Sequence, residues 1–368
     1  MKNIVEDILA PAGIAINGNQ PWDIQVHNEA FYRRVLRDGS LGLGESYMDG
    51  WWDSEHLDEF FTRIIPSRPE DKIRKNWKLM IYSLIERLRN KGRQSRAFQI
   101  GERHYDIGND LFQNMLDQRI LYSCAYWKEA DNLNDAQEAK LELICGKLGI
   151  RTGDKVLDIG CGWGSFAKHA AEQYGAHVVG ITVSKEQARF AEDHCAGLPV
   201  EIRLQDYRDL DETFDHIVSV GMFEHVGCKN YRTYLEVAHR CLRDGGLFLL
   251  HTIGSRRSNI AGDAWVEKYI FPNYVLPSMK QISSAVENLF VVEDWHNFGA
   301  DYDKTLTAWF RNFDAAWVAL RSKYSERFYR MWKYYLLSCA AAFRSRDLQV
   351  WQIVLSKDGV PGGYSSIR

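Results

Sequence analysis

From residue 153 onward, short apolar runs alternate with longer amphipathic segments. DKVLDIG, AHVVGIT, PVEIRLQD, FDHIVSVG and GGLFLLHTIG read as strands, with SFAKHAAEQYG, SKEQARFAEDHC and NYRTYLEVAHRCL between them as helices. Strands separated by helices of about 10–15 residues imply a parallel sheet with helices on both faces. LFVVEDWHN and LQVWQIVLS add two strands, with a helix before them near residues 280–289 and two between them, at about 303–322 and 326–342. The expected fold class is α/β, with a seven-stranded Rossmann-like sheet and a smaller mixed domain ahead of it. DAQEAKLELICGKLGI, an amphipathic helix ended by Gly149, leads into the first core strand.

In the N-terminal part DILAPAGIAI reads as a short helix, WDIQVHN as a strand and EAFYRRVLRDGS as a helix ended by glycine. LGLGESYMDGWW follows, punctuated by Gly42, Gly44 and Gly50, and reads as a turn-rich loop. Its Trp51 and Trp52 are either buried in a domain core or part of a loop that meets lipid.

The stretch VLDIGCGWG is the strongest chemical signal. Val156 and Leu157 end a buried strand, Asp158 sits at its carboxyl end, and Gly160, Gly162 and Gly164 turn the chain into the next helix. Such a turn needs positive φ and close backbone approach, which glycine allows. The spacing is G-x-G-x-G with an acid two residues ahead, unlike the G-x-G-x-x-G that seats a pyrophosphate. An acid there repels phosphate and suits the cationic amino-acid end of S-adenosylmethionine. With that donor, the expected sheet is the class I methyltransferase type, which closes with one antiparallel strand. The ligand should lie across the carboxyl ends of the strands. The second loop offers Thr182 and Gln187, the latter standing in for the acid usual at a ribose diol. The third offers Gln205, Asp206 and Tyr207, where Asp206 either accepts from the adenine amine or caps a helix.

Composition narrows the classes. The net charge of −3 calls for no nucleic acid. No apolar run approaches the roughly 20 residues needed to cross a bilayer, and MKNIVEDILAPAG lacks the build of a secretory signal. A cytoplasmic location is expected. The seven cysteines are scattered with no C-x-x-C pair, which argues against a disulfide framework and a structural zinc site, and no metal site is expected. Between Arg63 and Arg103, twelve Lys or Arg residues face four Asp or Glu. On a helix, Trp77, Ile81, Leu84, Ile85 and Leu88 share one face, which fits either a solvated linker helix or a surface for anionic membranes. The domain division read from this shift is 1–100, a membrane-docking domain with its basic linker, and 101–368, a catalytic domain.

Other elements end in reactive side chains: Glu224 and His225 after the fourth strand, His251 at the fifth, Tyr302 in NFGADYD, and Cys124 among aromatics. One such residue is weak evidence. Glu224, His251, Tyr302 and Cys124 at the ends of different elements make a candidate polar pocket.

YSCAYW, VLDIGCGWG, LQDYRDL, VGMFEHVG, LLHTIGS, YIFPN, EDWHNFGADYDKTL and the N-terminal IAING and GSLGLGESYMDGWW together resemble the bacterial cyclopropane-fatty-acyl-phospholipid synthases. The resemblance runs from about residue 5 to 355. It implies a two-domain enzyme, a homodimer associated peripherally with the inner face of the cytoplasmic membrane, acting on unsaturated acyl chains of membrane phospholipids. It further implies bicarbonate as base, held by Cys124, Glu224, His251, the backbone of Ile253, and Tyr302, with Tyr122 and Ser123 of YSCAYW completing the donor site. Two features depart from the pattern: Cys228 stands where proline is expected, and the tail DGVPGGYSSIR matches nothing in it.

The chemistry agrees with that expectation. An alkene is a poor nucleophile, so the donor methyl must be held in line with the double bond. Methyl transfer leaves a carbocation, which a dry site lined by faces such as Tyr126, Trp127 or Tyr302 would protect. A base then removes a proton from the new methyl group and the ring closes. Nothing here needs a thiolate nucleophile, so Cys124 is assigned to anion binding. Rival readings are a fatty-acyl C-methyltransferase without ring closure, a methyltransferase acting on a small amine, and a non-catalytic lipid-binding scaffold.

Overall fold

The computed structural model describes residues 1–67 and 108–368. The helix expected in the basic segment 63–103 therefore lies outside the described residues, apart from 63–67 at its start. Among the described residues no helix is long and apolar enough to cross a membrane.

The described chain divides into two units, one of residues 1–67, 261–272 and 302–348, the other of 108–260, 273–301 and 349–368. This corrects the consecutive division at residue 100. The reason lies in packing of segments distant in sequence. In the first unit the Glu326–Arg344 helix lies against the Leu57–Ser67 helix. Its Tyr334 ring is 4.5 Å from Trp265, 5.0 Å from Phe61 and 5.5 Å from Tyr47. Arg344 bonds Asp58 at 2.7 Å and Asp303 at 2.9 Å. Arg330 reaches Asp53 Oδ1 and the Tyr47 carbonyl, both at 2.6 Å. A hydrophobic stripe tells a helix which face to bury and leaves its partner open.

A second correction concerns LGLGESYMDGWW. Residues Ser40–Met48 form a helix, not a turn-rich loop. A Cβ on Gly42 would lie 2.4 Å from the Arg34 carbonyl oxygen, and one on Gly44 2.3 Å from the Trp265 ring. These glycines permit close approach within a helix. Trp52 is fully buried, its ring 5.2 Å from both Tyr47 and Phe60, and its Nε1 donates to the Leu43 carbonyl at 3.1 Å. That is the core reading of this tryptophan. The strand expected in WDIQVHN shrinks to β1, Gln25–Val26, paired antiparallel with β2, Trp52–Asp53.

The second unit is built on the expected seven-stranded sheet. In chain order its strands are β3 (Lys155–Ile159), β4 (His177–Thr182), β5 (Val200–Leu204), β6 (Phe214–Val220), β7 (Leu242–Ser255), β8 (Val291–Asn297) and β9 (Leu348–Ser356). Their spatial order is β5-β4-β3-β6-β7-β9-β8. Strands β3 to β7 pair parallel, and β8 pairs antiparallel with β9.

Alternation along each strand sorts side chains to two apolar layers. Leu157, Ile159, Ile217, Phe248, Leu250, Ile353 and Leu355 join one core with the Tyr231–Cys241 helix. Val156, Val218, Leu249 and Val354 join the other, with Leu141, Ile144 and Leu148 of the Leu133–Leu148 helix. By the same alternation Asp158, His251 and Gln352 lie on the face that the Leu133–Leu148 helix covers. The tail is packed too, with Tyr364 donating to the Lys147 carbonyl at 2.9 Å and Arg368 bonded to Asp294 at 2.6 Å.

Candidate active site

The carboxyl edge of the sheet carries a cavity walled by the loops after β3, β4, β5 and β6 and by residues 120–123. The glycine turn is fastened to its neighbour, since Gly160 and Cys161 donate to the Ile181 carbonyl of β4 at 2.9 and 3.0 Å. Gly160 and Gly162 take φ of 85° and 56° and line the cavity. Tyr122, Ser123, Asp158, Thr182, Gln187, Gln205, Asp206 and Tyr207 line it as well.

Of the residues expected at the donor site, Gly164 is the one that stands apart from the lining; Cys124, Glu224, His251, Ile253 and Tyr302 of the expected polar pocket stand apart from it too. Gly164 precedes the Ser165–Tyr174 helix at φ 83°, and a Cβ there would lie 3.0 Å from Ala191 Cβ and 3.1 Å from Cys195 Sγ. Its absent side chain therefore serves packing of that helix against the next.

Local bonds decide what several of these groups can offer a ligand. The Thr182 hydroxyl donates to Gln187 Oε1 at 2.9 Å, which leaves the Gln187 amide nitrogen as a donor. Asp206 is buried, caps the Tyr207–Asp209 turn, and accepts from Arg208 Nε at 2.8 Å and Nη2 at 2.7 Å. The capping reading of Asp206 is thus the one its bonds express. Burial raises the Asp158 carboxyl to about 7, opposed by the positive charge of Lys140. A cation arriving in the cavity would favour its ionised form.

A second set of polar groups lies at the ends of β6 and β7. The Ile253 N–H donates to Glu224 Oε1 at 2.6 Å, so this backbone donor is taken by a carboxylate of the chain itself. Glu224 Oε2 is buried with no hydrogen-bond partner among the described residues. Burial raises Glu224 to about 7, with the Ile253 and Glu224 N–H groups and the Thr252 hydroxyl pulling the other way. His251 lies opposite Val220 of β6 and is fully buried. Burial, reinforced by the charges of Lys140 and Lys147, drives its pKa well below the ordinary value, so the ring is neutral. The Gln352 amide approaches His251 Nδ1 at 3.3 Å. If that amide donates, the ring proton belongs to Nε2.

Cys124 is buried and its thiol faces the Ala125 carbonyl at 3.3 Å. From the adjoining loop the Tyr126 ring meets Phe298 at 5.4 Å, and Phe298 meets His251 at 5.6 Å, both edge-on. Aromatic rings thus link the YSCAYW loop to the end of β7. Tyr302 belongs to the first unit, where its ring lies 4.6 Å from Phe343 and 5.8 Å from Trp309.

The family model described as mycolic acid cyclopropane synthetase matches residues 92–353. The chain belongs to that family. It is 55% identical over 365 residues, 99% of this chain and 95% of the relative, to the cyclopropane-fatty-acyl-phospholipid synthase of Escherichia coli strain K12. It is 34% identical over 359 residues, covering 90% of this chain and 82% of the relative, to a tuberculostearic acid methyltransferase of Mycobacterium tuberculosis. The crystal structure of a mycolic acid cyclopropane synthase complexed with SAH and CTAB superposes with a TM-score of 0.66 at 34% identity, over 71% of this chain and 98% of that one. The sheet is accordingly that of the class I methyltransferases, as expected from the glycine turn.

In this cyclopropane synthetase family member, sequence reasoning passed over Lys140, Trp163 and Met222, and named His225 without assigning it to the donor site; all four line the cavity. Trp163 and His225 sit inside motifs already singled out. Lys140 is hidden differently, since a lysine in an amphipathic helix is ordinarily placed in solvent. Its signal was positional: it lies four residues after Ala136 and four before Ile144, both wholly buried, and it is wholly buried with them. At Cys228, where proline was expected, the chain starts the short turn Cys228–Asn230, a first-turn position that proline also suits.

Proposed function

We propose that the protein is an S-adenosylmethionine-dependent cyclopropane-fatty-acyl-phospholipid synthase, converting cis double bonds of acyl chains in membrane phospholipids to cyclopropane rings. The observation that carries this reading is the pairing of two sites on one sheet edge. A cavity built around Asp158 and the glycine turn suits a zwitterionic donor, and beyond it lie a protonatable Glu224 and a neutral His251. That equipment suits an uncharged acceptor whose product must lose a proton.

Bicarbonate fits the second set on one structural ground: Glu224 Oε2 is a buried polar atom left unsatisfied among the described residues. When bound, bicarbonate would supply the base that removes the proton before ring closure. The residues of the chain have defined parts around it. Glu224, held through Oε1 by Ile253, presents Oε2 to accept the anion's own hydroxyl or, when protonated, to donate. His251 donates from Nε2 while its other nitrogen is occupied by Gln352. Tyr126 and Phe298 exclude water from the end of β7, which protects a cationic intermediate from capture.

Docking on an anionic membrane through the basic segment 63–103 belongs to the same proposal, as does a homodimer whose two surfaces would add avidity. Flotation with anionic against neutral vesicles tests the first, and sedimentation the second.

The deciding experiment is mass spectrometry of acyl chains after incubating unsaturated phospholipid vesicles with the protein and S-adenosylmethionine, with and without bicarbonate. Gain of one methylene with loss of the double bond, dependent on bicarbonate and lost in Glu224→Ala, is expected. A saturated methyl-branched chain formed only with added reductant would replace this reading by C-methyltransfer, the activity in the name of the 34% identical relative.

A further inference from the structure

The Leu133–Leu148 helix buries two lysines, Lys140 and Lys147, and among the described residues only Lys147 has a carboxylate partner. Lys147 Nζ lies 3.5 Å from Asp294 Oδ2 and 3.0 Å from His296 Nδ1. Lys140 is 0% exposed and its Nζ makes one hydrogen bond among the described residues, to Ser123 Oγ at 2.7 Å. No carboxylate of the described residues stands within ion-pair distance of it. An ammonium has three hydrogens to place, and a buried charge without a partner is expensive. Burial lowers its pKa to about 8, while Asp117, Cys124 and Asp158 support the charge, so the cation persists at neutral pH.

Lys140 also lines the donor cavity, together with Ser123 and Asp158. The other lysine or arginine of that lining, Arg208, is committed to Asp206 by two bonds below 3 Å. His225 is driven by burial down to about 4 and is neutral. Lys140 is therefore the cation in this lining with hydrogens to give. By accepting from Lys140, Ser123 Oγ is left to direct its own hydrogen elsewhere.

We propose that Lys140, together with the Ser123 hydroxyl it orients, binds the α-carboxylate of S-adenosylmethionine, opposite in sign to Asp158, which takes the α-ammonium. The assignment rests on the reading that the donor occupies this cavity. It gives each charge of the donor's amino-acid end a buried counter-charge, and it explains why an unpaired lysine is kept inside the protein.

The test is calorimetric titration of the full chain with two probes: S-adenosylhomocysteine, and 5′-deoxy-5′-methylthioadenosine, which lacks the amino-acid end. In Lys140→Met, affinity for S-adenosylhomocysteine should fall about 10–100-fold while affinity for methylthioadenosine changes by less than about twofold. The unfolding temperature of the ligand-free variant should not drop, because an unpaired buried charge has been removed. Equal loss for both probes, or no loss for either, overturns the proposal. Lys140→Gln gives the same comparison should the methionine variant fail to fold. Gly162→Val is the control for the cavity itself: if it leaves S-adenosylhomocysteine binding intact, the donor binds elsewhere, and the underlying reading fails along with the proposal.

Discussion

Glu224 and Ile253 are joined by a 2.6 Å hydrogen bond that ties the turn after β6 to β7. The bond spends the backbone donor of Ile253 on a carboxyl of the chain and leaves Glu224 Oε2 as the atom facing no protein partner among the described residues. An anion at this place would meet Glu224 before it met the peptide of Ile253.

Burial makes Glu224 a source of pH dependence. Its carboxyl stays protonated in the folded protein up to about 7, whereas in the unfolded chain it ionises near 4.5. The unfolded state therefore releases its proton first, and stability falls as pH rises from about 4.5 to 7, then levels. Glu224→Gln should abolish this component, gaining on the order of 3 kcal/mol relative to wild type between pH 4.5 and 8. Denaturant unfolding of both proteins across that range measures it. The difference isolates Glu224 from Asp158, which burial shifts in the same direction. A constant difference would show that the carboxyl ionises normally.

With its amide donating to His251 Nδ1 across the 3.3 Å contact, Gln352 would keep the ring proton at Nε2. Gln352→Leu should lower turnover roughly 10–100-fold with donor affinity unchanged, since the imidazole loses the partner that keeps its proton at Nε2. Turnover on lipid vesicles and titration with S-adenosylhomocysteine separate the two effects. Unaltered turnover would remove Gln352 from the mechanism.

The glycines of the turn should respond differently to alanine. At Gly164 the added Cβ meets Ala191 and Cys195 as well as a left-handed backbone, so a loss of about 1–3 kcal/mol is expected, with donor affinity of the folded protein kept. At Gly162 no atom of the described residues, its chain neighbours aside, lies within 4 Å of the added carbon. Only backbone strain of about 1 kcal/mol opposes it, while the methyl group enters the cavity wall and weakens donor binding. Unfolding curves and donor titration of the two variants should give opposite rankings.

Gly44→Ala tests the helix found where a loop was expected. Its Cβ would sit 2.3 Å from the Trp265 ring, and the ring is wholly enclosed by its neighbours. The loss should reach about 2 kcal/mol or more, read by denaturant unfolding. A neutral result would mean that Trp265 moves aside.

Many of the candidate residues could be named from the sequence because they lie in short segments with strong local chemistry. Asp158 near the end of β3 and the glycines after it, Glu224 after β6 and His251 with Ile253 in β7 all lie at strand ends, and strand ends can be counted from an alternating pattern. Gln352 and Phe298 were not legible. Each is ordinary in its own segment and acquires its role from the fold, Gln352 because β9 lies beside β7 and Phe298 because its ring, just past β8, packs edge-on against His251. Lys140 was passed over for a related reason, since residue type argues for solvent while position argues for the core.

What the sequence by itself determined is the parallel sheet, the glycine turn and the family. These follow from period-two and period-3.6 patterning and from motifs whose residues touch one another along the chain. Only the tertiary structure decided that residues 302–348 join the N-terminal unit, that Ser40–Met48 is a helix, and that Lys140 is buried without a carboxylate partner among the described residues. Each depends on which distant surface a segment meets. Such contacts balance burial against desolvation and steric fit, and no local pattern encodes that balance.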